Sequence, residues 1–325
     1  MKITRGLSNT SLAHHPVLTI GNFDGQHLGH LALLSVVVES ARSRGGIPMV
    51  LTFDPHPTQI LKPEIDLQFL TTLDQKLVWF EEVGIEHVVI LEFTRAFAEF
   101  TPEQFVLKIL RDGIGVRDLY VGEHFVFGKG RAGRMSDLVR LGSQAHFHVH
   151  AVSPLSLDGE VVSSTRIRRL LQAGKVKEAS QYLGRFYSLT GTVVEGNHRG
   201  EKLGYPTANL RLPLGRAIPA DGVYVTTARL KQKAFDSISY IGTRPTFGPG
   251  ERLLEVHFLD ETCSLYGEEI QVSFHERLRG DQTFATPEEL AARITLDVDL
   301  ARKTLRAGPS LSQQGRVEVS TKAAG

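Results

Sequence analysis

The chain has 325 residues, 41% of them hydrophobic and 22% charged, which is enough apolar material for two cores in an ordinary globular protein. Lys plus Arg number 37 and Asp plus Glu 36, so no global field gathers nucleic acid or an anionic membrane, and neither partner is expected. One cysteine, Cys263, excludes an intrachain disulfide and a thiolate zinc site, and "MKITRGLSNTSLAHH" lacks the apolar core of a signal peptide; a cytoplasmic enzyme is the expected class.

In chain order, "VLTI" reads as a buried strand and "LALLSVVVESA" as a helix, with "GNFDGQHLGH" (21–30) as the turn between them. Further strands are expected at "PMVLTF", "HVVIL", "DLYVG" and "HFHVHAV". Between them lie helices with explicit start signals: Thr72 with Gln75 and a stop at Gly84, then Thr101 with Pro102 and Gln104. Strand and helix in alternation predict βαβ units with right-handed crossovers, hence a Rossmann-like parallel sheet over residues 1–184. Ligands of such sheets bind beyond the carboxyl ends of the strands, where the turn with His27 and His30 should lie.

After Tyr187 the pattern changes to short extended runs, "SLTGTVV", "GVYVTTARL", "SISYIG", "LLEVHFL" and "EEIQVSF", separated by Gly and Pro. This predicts a small antiparallel β-barrel over 185–306. A last helix is expected in "TPEELAARITLDVDLARKTL", with Thr286 as N-cap, Pro287 at the first helical position and Glu289 closing a capping box. The polar, small-residue segment 307–325 reads as a loose tail.

A helix N-terminus presents unpaired N–H groups and the positive end of the macrodipole, so a phosphate is stabilised at the turn 21–30, where Gly25 and Gly29 allow close backbone approach. His27 and His30 add directional donors for charge that grows during transfer. Two such histidines alone would be ordinary surface residues. A second phosphate grip follows in "VSSTRIR" (162–168), where hydroxyls at Ser163, Ser164 and Thr165 and the guanidinium groups of Arg166 and Arg168 open another helix. Pro55 and Pro57 around His56 stiffen a loop that suits either a ligand-facing edge or a mere turn. His146, His148 and His150 alternate, but same-face neighbours on one strand lie about 7 Å apart, too far to close round one ion, so a polar strand face is preferred.

In the second half, "GNHRGEKLGYPTANL" (196–210) is rich in Gly and basic residues but lacks the P-loop pattern. Thr207 and Asn209, two apart, would point the same way in an extended segment and could offer oxygens to a hard cation. Glu255 in "LLEVHFLD" faces either solvent or a pocket, and in a pocket it could take the proton of an attacking hydroxyl.

The motifs "GNFDGQHLGH", "TFDPHP", "VGEHFVFGKGRAG" and "VSSTRIR", in this order, resemble the adenylyltransferase module of the bacterial bifunctional riboflavin kinase/FAD synthetase family. "RGEKLGYPTANL", "DGVYV", "IGTRPTF", "LEVHFLD", "LYGEEI" and "RLRGDQTFATPEEL" look like its riboflavin kinase module, so the resemblance runs from about Leu18 to Arg306. It implies riboflavin, FMN, FAD and ATP as substrates and products, with magnesium at both sites. It further implies that Gly21, Phe23, Gly25, His27, Gly29, His30, Ser164, Thr165 and Arg168 serve ATP and its phosphates. In the kinase module it implies that Gly204 and Pro206 shape the nucleotide loop, that Thr207 and Asn209 meet magnesium, and that Glu255 is the base.

Two departures stand out. His124 occupies a flavin-side position where the family usually has Asp or Asn, which leaves a kinase with an altered adenylyltransferase as one alternative. Tyr240 precedes "IGTRPTF" where Asn is frequent, so local packing must differ. A non-catalytic flavin-binding regulator is the other alternative, although binding alone would require no base.

Overall fold

The computed structural model describes residues 1–7, 14–195, 204–243, 252–260, 266–308 and 321–323. Cys263, residues 196–203, residues 244–247 of "IGTRPTF", Leu265 and residues 309–320 lie outside the described residues. The chain forms two compact units, Met1–Ser164 with Gly315–Gly325, and Thr165–Gln314.

The first unit is a Rossmann-like sheet of six parallel strands: β1 (Lys2–Arg5), β2 (Pro16–Ile20), β3 (Ile47–Phe53), β4 (His87–Leu91), β5 (Asp118–Gly122) and β6 (His148–Val152), in the order β1-β4-β3-β2-β5-β6. Strands β2 and β4 are buried at every position, as continuous apolar runs between two helical layers must be. Helices α1 (Leu28–Arg44), α2 (Leu73–Glu82) and α3 (Met135–Gln144) cover it. One core layer gathers Leu18, Leu51, Val89 and Leu119, and the other Val17, Val50, Val88 and Phe80, so the alternating side chains of the same strands fill both faces. The chain adds β3 and β4 on one side of β2 and β5 and β6 on the other. The order therefore reverses at the β2/β5 boundary, directly beside the turn 21–30.

The start signals form as the spacing predicts. Thr72 Oγ1 accepts from Gln75 N at 3.2 Å while Gln75 Oε1 accepts from Thr72 N at 3.0 Å, and Gly84 follows α2 with φ +92°. Thr101 and Gln104 make the same reciprocal pair, but the helix they open continues as a π-helical segment over Phe105–Ile114. Strand β1 is short, with Ile3 as its one apolar residue, and gave no signal. His146 sits before β6 in a turn with φ +61° and not on the strand, so the three histidines do not share one face. His150 reaches instead to the buried Asp118 at 2.8 Å, and His15 meets the other oxygen at 2.8 Å. Burial alone would raise that carboxyl, but the two imidazoles and Arg44 hold it below the usual range. Thr321–Ala323 (β13), in the segment composition assigns to a tail, pairs antiparallel with β6.

Helix α4 (Ser164–Gln172) starts at the last residue of the first unit's main segment, and the second unit holds the rest of it, α5 (Val176–Leu183) and a closed six-stranded antiparallel barrel. Its strands are β7 (Tyr187–Val194), β8 (Ala208–Arg211), β9 (Gly222–Leu230), β10 (Lys233–Thr243), β11 (Arg252–Phe258) and β12 (Glu269–Arg279), in the closed order β8-β11-β10-β9-β12-β7. Helix α6 (Pro287–Arg306) packs Val298 and Ala301 with Val223, Val225 and Ile238 of the barrel wall. Thr286 caps α6 by accepting from Glu289 N at 3.2 Å, but Glu289 Oε2 accepts from Ala285 N at 3.1 Å rather than from Thr286 N. The expected capping box is thus closed one residue early, because the chain enters the helix with Ala285 N turned toward the carboxylate.

Candidate active sites

The turn after β2 is strained and tightly held. Phe23 and Gln26 have φ of +51° and +48°, Gly25 +85°, and all three are in the left-handed region that non-glycine residues rarely enter. What holds them is Asp24, buried at 4% exposure, whose carboxylate accepts from Leu70 N at 3.0 Å, Thr71 N at 3.0 Å and Thr71 Oγ1 at 3.2 Å. A Cβ on Gly25 would come within 2.5 Å of Leu70, so only glycine lets this clamp close. The Phe23 ring fills the space under Gly21 and meets Phe80 and His30 edge-on, at 5.3 and 5.2 Å between centroids.

His27 is the N-cap of α1. Its Nδ1 accepts from His30 N at 3.3 Å, and the two imidazoles stack at 3.6 Å with planes 16° apart. The pair therefore stands at the positive end of a 17-residue helix. Gly29 sits in a tight place, since a Cβ there would lie 3.3 Å from both the His27 ring and the Val162 carbonyl. That second approach brings in the other phosphate motif: the Ser164 hydroxyl donates to the Asp24 carbonyl at 2.7 Å, tying the segment from Val162 to the turn. Thr165, exposed, and Arg168, half-buried, follow on α4 in the second unit. His124 is exposed in the turn after β5, at the carboxyl edge next to β2. His56 caps a short helix, Pro57–Leu61, with Nδ1 accepting from Thr58 N at 3.1 Å, so its immediate role is that of a turn residue.

Lys76 was not legible as a site residue. It is buried on α2, and its Nζ donates to the Asn22 carbonyl at 3.2 Å. Burial pushes the ammonium below its ordinary range, while Asp24 and Asp54 draw it back up. A lysine at a helix position carries no signal in sequence, because reaching a carbonyl 54 residues away is a tertiary event.

In the barrel, directly opposed residues of an antiparallel ladder share a face. Asn209 on β8 stands opposite Glu255 on β11, and Glu255 opposite Tyr240 on β10. Asn209 and Glu255 are 6% and 8% exposed, and Asn209 Oδ1 has no hydrogen-bond partner among the described residues. Thr207 lies just before β8, and the segment is fixed by His257 Nδ1, which donates to the Pro206 carbonyl at 2.8 Å. Gly204 supplies the left-handed conformation, φ +85°, that starts it.

The Tyr240 ring lies over Gly242, where any Cβ would collide with its hydroxyl, and that hydroxyl donates to Asp281 Oδ1 at 3.0 Å. Burial first, then the charges of Asp281 and Glu255, hold the phenol well above its ordinary range, so it stays a neutral donor. The packing change expected from a bulky residue at 240 is accommodated by Gly242. Asp281 was not singled out in the sequence, since a loop aspartate reads as solvation.

Among the described residues no helix is long and apolar enough to cross a membrane, and no group of His, Cys, Asp or Glu is arranged to hold a metal. Residues 9–166 match the family model for FAD synthetase and residues 183–305 that for riboflavin kinase. The bifunctional riboflavin kinase/FMN adenylyltransferases of Escherichia coli and Pseudomonas fluorescens are each 38% identical, over 93% of this chain and 97% of theirs. The crystal structure of a Streptococcus pneumoniae protein described as a macrolide-efflux protein superposes with a TM-score of 0.83 at 28% identity, covering 93% of this chain and 98% of that one.

Proposed function

The chain belongs to the bifunctional riboflavin kinase/FMN adenylyltransferase family, and from that membership we propose how its two sites divide the work. It phosphorylates riboflavin to FMN and joins FMN to the AMP part of ATP, giving FAD and pyrophosphate, with ATP as co-substrate in both steps. The observation that carries the assignment is the presence of two separate polar sites in one chain: the turn 21–30 tied to Ser164, and the Asn209–Glu255 row of the barrel. Residues 1–184 are assigned to adenylyl transfer and 185–306 to the kinase, with no reaction assigned to 307–325, and a cytoplasmic setting suits an enzyme that draws on ATP twice.

In the first site the α1 N-terminus, His27 and His30 hold the ATP phosphates, with Gly21, Phe23, Gly25 and Gly29 shaping the turn and Ser164, Thr165 and Arg168 as the second grip. The nucleophile is the phosphate of FMN, already ionised at neutral pH, so positioning and charge stabilisation suffice and no base is needed. His124 is assigned to the flavin side. In the second site Glu255 takes the proton of the riboflavin 5′-hydroxyl as it attacks the terminal phosphoryl group of ATP. Thr207 and Asn209 fit magnesium: both present neutral oxygens, and the buried, unpartnered Oδ1 of Asn209 is the donor type a hard cation takes. When bound, the ion would neutralise charge on the transferring phosphate oxygens. Gly204 and Pro206 shape the nucleotide loop beside it.

The test is a chromatographic time course of purified protein with riboflavin, ATP and magnesium. FMN should rise first and then give way to FAD. Accumulation of FMN alone would restrict the chain to the kinase and implicate His124 in the loss, and no conversion would leave a flavin-binding regulator.

A further inference from the structure

Asn209, Glu255 and Tyr240 stand on three adjacent strands, β8, β11 and β10, as successive cross-strand neighbours. They form one lateral row, stepped by about 4.8 Å per strand. In phosphoryl transfer the attacking and leaving oxygens lie roughly in line, with the base beside the attacking one. If Asn209 faces the phosphates and Glu255 the nucleophile, the alcohol that is phosphorylated occupies the Tyr240 flank.

That flank is built for a hydroxylated chain. The Tyr240 ring packs against the cluster that includes Val223, Val225 and Ile238, and its hydroxyl donates to Asp281. Asp281 Oδ1 accepts from both the Tyr240 hydroxyl and Gln282 N, each at 3.0 Å. Among the described residues Oδ2 accepts none, and Asp281 is exposed. An ionised carboxylate only accepts, so it selects a ligand that donates, and alcohols donate. A short side chain at 240 could not reach the loop that carries Asp281.

We propose that Tyr240 and Asp281 are the acceptor-side specificity element of the kinase site, with Asp281 Oδ2 receiving a hydrogen bond from a secondary hydroxyl of the ribityl chain and Tyr240 positioning Asp281 to do so. The proposal rests on the reading of Glu255 as the base. The carboxylate is the contact with substrate, and the tyrosine acts through it.

The test uses the full chain with Asp281→Asn, Tyr240→Phe and, separately, Glu255→Gln. Asp281→Asn and Tyr240→Phe should raise KM for riboflavin about tenfold, the worth of a hydrogen bond to a charged acceptor, while KM for ATP in the same reaction is unmoved. That unmoved KM also reports an intact barrel. With 2′-, 3′- and 4′-deoxyriboflavin as probes, the wild type should penalise the loss of one hydroxyl, and Asp281→Asn should erase that penalty. Equal penalties in wild type and Asp281→Asn, or an unchanged KM for riboflavin in both variants, would overturn the subsite. Glu255→Gln separates the two claims: if it retains kinase turnover, the base assignment fails and the orientation of the row fails with it. If it is dead while Asp281→Asn is indistinguishable from wild type, only the subsite is wrong.

Discussion

At the scale of single residues, the two sites make opposite demands. Glu255 has to be a proton acceptor, so Glu255→Gln should lower kinase turnover by roughly 10² to 10⁴ while leaving FAD formation from supplied FMN intact. Equal loss of both reactions would refute the division of labour. His30 stacks on His27 at the helix N-terminus and serves as a donor, and His30→Ala should do the reverse, costing about 3 kcal/mol of transition-state stabilisation in FAD synthesis with the kinase unaffected. Survival of full FAD synthesis would remove the phosphate role. His27, His30, Glu255 and Asn209 were all legible as residue types in motifs. Lys76 and Asp281 were not, because their meaning lies in what a long side chain or a folded-back loop reaches.

At the scale of elements, the caps show how local chemistry becomes structure. Thr72 and Thr101 satisfy orphan N–H groups through residues three positions on, so their helices start where the spacing says. Glu289 shows the limit, since its carboxylate takes the N–H of Ala285 and not that of Thr286, a choice of one residue that the spacing does not make. Strand β12 carries a testable consequence of burial. His275 lies 5% exposed, with Nε2 2.6 Å from Thr227 Oγ1 and Phe186 edge-on at 4.1 Å, and desolvation pushes its pKa down from 6.5 to about 4. Between those values the unfolded chain binds a proton that the folded one refuses, so stability is full above pH 6.5 and falls as pH drops toward 4. The slope should approach about 1.4 kcal/mol per pH unit within that window. Denaturant midpoints of wild type and His275→Gln across it should differ in slope, the variant being flatter. Parallel curves would mean that the imidazole titrates in place.

At the scale of the whole molecule, the motifs of the two reactions occupy separate segments, and the second reaction consumes the product of the first. A mixture of Glu255→Gln and His30→Ala proteins should therefore convert riboflavin to FAD, because FMN released by one is taken up by the other. Each variant alone should fail. Absence of FAD from the mixture, with each partner still active in its own step, would show that FMN must be handed over within one chain. The sequence by itself determined the two architectures, since hydrophobic period and turn spacing are local and alternate differently in the two halves, and it determined the motif residues, since helix N-termini and phosphate chemistry use few residue types. Tertiary structure alone decided the edge strand β1, the clamp of Asp24 on Leu70 and Thr71, the burial of Lys76 and the row Asn209–Glu255–Tyr240 with Asp281. Each of these depends on register or on contacts between residues far apart in the chain, and neither is encoded in the spacing of neighbours.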